Sequence, residues 1–165
     1  MKRWSIFVAL VALTLSTTPA WGGAQKKADK ATAEWRYDAE EINRSGKQGT
    51  AVFKIWSYSK NDRIAETQAA KNAVHAILFK GYGSNRPMVS PEAAEEHKEF
   101  FDSFFKEGGG YRKYVQLTNN GAVSPSDRIK VGKEWKIGVV VIVSKTQLRK
   151  ELERQGIISK LGDMF

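Results

Sequence analysis

Cysteine is absent from all 165 residues. That excludes disulfides, thiolate zinc sites, cysteine nucleophiles and a lipid-modified cysteine near the N-terminus. Histidine is scarce: His75 and His97 are the only two. Neither has another His, Asp or Glu three or four positions away, the spacing that lets one helix clip a metal. A metal at either would need ligands gathered from distant segments. The plainer expectation for each is a histidine at the edge of the core, bonded to backbone.

Other signatures are missing too. Ser57, Ser59, Ser84, Ser90 and Ser144 all lack the G-x-S-x-G elbow, which leaves only a serine–histidine pair assembled by the fold. The glycines of "GYGSNRP" are not followed by G-K-[ST], and those of "GGGY" precede a strand pattern rather than a helix, so neither reads as a phosphate loop. Glu95, Glu99 and Asp102 share one helix face. Paired catalytic carboxylates normally come from separate elements around a cleft, and a charge run on one helix is better explained as a solvated face. An enzyme would have to use the 80–91 loop, with His75 or His97 as a proton shuttle.

No apolar run reaches the length of a membrane span. The longest, Ser5 to Leu15, follows Lys2 and Arg3 and precedes the small-residue stretch "STTPAWGGAQ". That order predicts a secretory signal peptide over residues 1–24, with cleavage after Ala20 or Ala24. Residues 25–33 then read as a flexible lead-in and 34–165 as a single domain, long enough to bury a core. Without a further apolar run, no integral insertion is expected after cleavage. Lack of cysteine in an exported domain of this size points to a bacterial envelope.

The chain carries +9, and losing Lys2 and Arg3 leaves +7. The charge is uneven. Residues 111–150 hold nine basic and two acidic side chains, whereas residues 90–107 hold six acidic and two basic. Such a field steers anionic partners, unless helix and sheet compensate each other.

Apolar periodicity predicts an α+β fold, a small and largely antiparallel sheet packed by helices in the order β-β-α-α-β-β-β-α. The first strand lies near 34–43, with a helix as the alternative there. In the second, over 50–59, Phe53 and Ile55 share one face while Val52, Lys54, Trp56 and Tyr58 share the other. An alanine-rich stripe from Ile64 to Phe79 predicts a helix capped by Asn61 or Asp62. Ser90 and Pro91 start a second helix, whose Phe100, Phe101, Phe104 and Phe105 face the core. Residues 111–118 alternate as a strand. A hairpin over 128–144 turns at Gly132-Lys133. Residues 145–165 form a last amphipathic helix, broken at Gly156.

One constellation suits binding. By strand alternation Lys54, Trp56 and Tyr58 share a face, as do Arg112 and Tyr114, and as do Arg128, Lys130 and Lys136 across the hairpin. If these faces coincide, the sheet interleaves aromatics with cations, a surface that stacks on bases or sugar rings and attracts phosphate or carboxylate. The competing reading places the acidic, phenylalanine-rich helix of 90–107 over that face, with the strand at 139–143 covered on both sides.

The runs "GTAVFKIWSYSKNDRIAETQAAKNAVHAILFKGYG" and "WKIGVVVIVSKTQLRKELERQGI" resemble a group of small exported proteins from bacteria with two membranes. More distantly they resemble the N-terminal module of the flagellar protein FlgT. The likeness covers about a third of the chain. It implies an envelope interaction or assembly module that needs no cofactor, and it carries over no catalytic residue. The expected partner is an envelope protein; the alternative is an anionic polymer, an acidic glycan or nucleic acid, held on the basic aromatic face.

Overall fold

Strict alternation over residues 51–59 produces the central strand pair. In the computed structural model, which describes Lys30, residues 32–42 and residues 48–160, β2 (Ala51–Ser59) buries every second side chain: Ala51, Phe53, Ile55, Ser57 and Ser59. It pairs along its whole length with β5 (Glu134–Val143), Phe53 opposite Val141 and Ile55 opposite Val139. β1 (Thr32–Glu41) lies outside β2, while β3 (Val115–Leu117) and β4 (Arg128–Val131) share the far side of β5. Among the described residues every strand pairing is antiparallel. The molecule is an α+β fold in which a five-stranded sheet is packed by helices, in the expected order.

The proposed signal segment lies outside the described residues, as does most of the lead-in. β1 begins at Thr32, so the last two lead-in residues belong to the sheet. Between Thr32 and Tyr37 this strand bulges, and Trp35 sits in the left-handed region at φ 55. A bulge re-aims a side chain. Here the Trp35 indole is turned onto His75, stacked at 4.2 Å between ring centroids.

All the helical stripes close the same face of the sheet. α1 (Glu66–His75) continues through a π-helical turn, Ala76–Lys80, and supplies Ala69, Ala73, Val74, Ala76, Ile77 and Leu78 to one core with Phe53, Ile55, Ile137, Val139, Val141 and Val143. The alanines let the helix approach the sheet closely. α2 (Pro91–Glu96) and α3 (Lys98–Phe105) form one expected helix split at His97, whose φ of −106 and ψ of 29 leave helical geometry. Ser90 caps α2 as expected, accepting from the Ala93 N–H. α3 adds Phe101, Phe104 and Phe105 to the core.

α4 (Lys145–Arg154) adds Leu148 and Leu152 and ends at Gly156, φ 73. There the Ile157 N–H bonds to the Leu152 carbonyl and the Gly156 N–H to the Glu153 carbonyl, the paired bonds of a Schellman stop. The expected helix is therefore shorter than 145–165, and Leu161 lies outside the described residues.

Two local expectations are corrected. Asn61 and Asp62 do not cap α1, which starts later, at Ala65, with no side-chain cap. The Ala65 N–H instead bonds to Thr32 Oγ1 across the fold. The strand expected over 111–118 is a 3-10 turn over Gly110–Tyr114 followed by the three residues of β3. A Cβ on Gly109 would lie 2.2 Å from the Phe104 carbonyl. The chain doubles back that tightly, and Tyr111 is buried against Phe105 rather than extended in the sheet.

Candidate functional site: the open face of the sheet

Because the α-helices gather on one side, the other side of the sheet presents a second set of side chains, half-buried among themselves. Register decides which they are. Asp38 pairs with Trp56 and Trp56 with Gly138; Glu40 pairs with Lys54 and Lys54 with Val140; Tyr58 pairs with Lys136. Cross-strand partners share a face. Lys54, Trp56, Tyr58 and Lys136 therefore lie together, flanked by Arg36, Asp38 and Glu40 of β1. The phenylalanine-rich helix does not cover them, which corrects the competing reading: its rings pack on Phe79, His75 and Trp35 in the helical layer.

Four other residues of the expected constellation lie elsewhere. Arg112 and Tyr114 fall in the 3-10 turn, where strand alternation has no meaning. Arg112 lines a groove beside α1, and Tyr114 packs on Phe104, 6.0 Å between ring centroids. Lys130 pairs with Trp135, not with Lys136, so it projects to the opposite side of the hairpin with its Nζ 4.7 Å from the Trp135 ring. Arg128, opposite Ile137, goes with it. Ile129 and Val131 take the open face instead, 45% and 46% exposed.

The face is compensated rather than basic. Arg36 pairs with Glu134, Lys136 with Asp38 at 2.8 Å, and Lys54 with Asp127 at 2.7 Å. Lys136 beside Asp38 holds that carboxyl below its usual range, and the Tyr58 hydroxyl helps. Arg36 lowers Glu134 in the same way. The Trp56 indole N–H donates to Glu40.

The cations also occupy the aromatic rings. Arg36 lies 4.5 Å from the Tyr58 centroid and Lys54 lies 5.1 Å from that of Trp56. Lys136 sits between the two rings, at 5.7 and 5.8 Å. Gly138 completes the site. A Cβ there would lie 2.9 Å from the Trp56 ring, so the absence of a side chain lets the indole lie flat over the strand.

The sequence reading missed the counter-charges Asp38, Glu40, Asp127 and Glu134. The alternation of Arg36, Asp38 and Glu40 was a visible signal for β1. Asp127 reaches Lys54 from a loop, and no local pattern announces that.

Among the described residues no cluster of His, Asp and Glu could hold a metal ion, and no helix is long and apolar enough to cross a membrane. No family model, curated protein or solved structure matches the chain.

Proposed function

We propose that this protein is an exported, non-enzymatic module that docks on a protein of the cell envelope through the open face of its sheet. The observation that supports this most is the ladder of Trp56 and Tyr58 held between three ion-paired cations, on a sheet side that the helices leave uncovered. Tryptophan, tyrosine and arginine are the side chains that most often carry interface energy. Here ion pairs and cation–π contacts fix them before any partner arrives, which lowers the ordering cost of binding. Ile129 and Val131 extend the face with apolar surface. The N-terminal pattern supports export.

A polyanion suits this face less well. Its cations already have carboxylates, and their charged groups lie over the rings a base or sugar would stack on. The test is capture from envelope extracts with the full chain and with Ile129→Asp and Trp56→Ala variants. A defined protein partner should be retained by the wild type and lost at least about tenfold in both variants. Equal capture by all three chains sinks the reading. So does capture that is abolished by modest salt and by competing polyanion, the signature of counterion release.

A further inference from the structure

We propose that the partner adds a strand to the outer edge of β4, through an extended segment in which acidic and apolar residues alternate. The inference rests on the docking reading above and names the chemistry of the docked segment. β4 pairs with β5 on one side only, and all four of its residues are exposed.

Hairpin geometry says which backbone groups this edge offers. Val131 and Glu134 close a two-residue turn at Gly132-Lys133, with Gly132 at φ 59. The closing pair of such a turn is hydrogen-bonded, and bonded and non-bonded pairs then alternate along the antiparallel ladder. Lys130 and Arg128, opposite Trp135 and Ile137, therefore hold the non-bonded positions. Their N–H and C=O groups point away from β5. The Arg128 N–H turns back to the Pro125 carbonyl. The Lys130 N–H and C=O and the Arg128 C=O remain for a partner strand, spaced at its two-residue repeat.

The sheet's other edges are guarded. β1 bulges between Thr32 and Tyr37, and the Lys80 ammonium bonds to the Tyr37 carbonyl oxygen. β3 has only three residues. Bulges, covering side chains and shortness all keep an edge from pairing. The cations of β4 guard it in a selective way. Two β4 edges from separate copies would bring Arg128, Lys130 and Lys133 of each together, and like charges on paired strands repel.

Side chains specify what fits instead. Ile129 and Val131, 45% and 46% exposed, stand on the open face. Arg128 and Lys130 stand on the other. Lys130 lies over the Trp135 ring. Among the described residues neither they nor Lys133 takes part in an ion pair. Neighbouring strands continue one another's faces. The added strand thus sets apolar side chains beside Ile129 and Val131, and carboxylates beside Arg128 and Lys130.

The probe is a short blocked peptide of alternating valine and glutamate, titrated into the full chain while its amides are followed by NMR. Saturation should slow hydrogen exchange of the Lys130 amide at least about tenfold. N-methylating the peptide at the positions that face β4 should weaken binding at least about tenfold, and N-methylating the alternate positions should not. Lys130→Pro removes the outward N–H. Edge strands tolerate proline where the N–H faces solvent, so the rest of the spectrum should persist while peptide affinity falls about tenfold. An all-glutamate peptide, or one alternating valine and lysine, that binds as tightly overturns the proposal. So do equal affinities of the two N-methylated peptides, and the absence of saturable binding. Protection of the Lys130 amide that grows with protein concentration alone would give the edge to a second copy, and overturns it too. Envelope capture that survives Lys130→Pro sinks strand addition but leaves the docking reading standing, since that reading falls only with the Ile129→Asp and Trp56→Ala captures.

Discussion

The Tyr37 hydroxyl lies 2.7 Å from Nδ1 of His75. Burial raises the tyrosine pKa, and burial, with Lys80 adding to it, lowers that of the histidine to about 4. Near neutrality the phenol is therefore protonated and the imidazole neutral, so Tyr37 donates and Nδ1 accepts. Trp35, Phe79 and Phe105 enclose the same imidazole, and the Lys80 ammonium bonds to the Tyr37 carbonyl oxygen. His75 is an apolar-layer histidine held by a tyrosine, where a backbone partner was expected.

That pair sets a pH dependence. The unfolded histidine takes a proton at its ordinary pKa of 6.5, and the folded one only near 4. Between these values the unfolded state binds more protons, so stability is full above 6.5 and falls as pH drops toward 4. The full shift corresponds to about 3 kcal/mol, and partial exposure of His75 reduces the expected loss to about 1–2 kcal/mol. Urea unfolding of wild type and His75→Gln across this range should show the wild type losing that much more. Parallel pH profiles would refute the assignment.

Gly138 tests the packing of the open face. Gly138→Ala forces a methyl group against the Trp56 ring at 2.9 Å and the Lys54 Cδ at 3.0 Å. The lysine can swing away. The indole, bonded to Glu40, gives less readily. A loss of about 1–3 kcal/mol is expected, and most of it should vanish when the change is made in a Trp56→Ala background. Additive effects in that cycle would show that the ring does not rest on the glycine.

The Lys54–Asp127 pair fastens the loop between β3 and β4 to the sheet. Its side chains are only 20% and 18% exposed. Lys54→Met and Asp127→Asn should each cost about 1–3 kcal/mol, because either leaves a mostly buried partner unpaired. The double variant should cost less than the two together. Independence of the two changes in denaturant unfolding, or loss of the coupling in moderate salt, would mark the pair as an ordinary surface contact.

The sequence alone determined the order of most elements and which side of them is apolar. Alternation in residues 51–59 and 134–143, the alanine stripe of α1, the Ser90-Pro91 start and the Gly132 turn are short-range facts, set by steric preference and by periods of 2 and 3.6. Only the tertiary structure decided what meets what. Strand register sent Lys130 away from Lys136 and brought Asp38 and Glu134 to the cations. The burial of Tyr111 turned an expected strand into a 3-10 turn and carried Arg112 and Tyr114 off the sheet. The choice of one face by every helix left Trp56 and Tyr58 uncovered. Pairings between residues such as Lys54 and Asp127, 73 positions apart, are set by closure of the whole core, and no window of neighbouring residues contains that information.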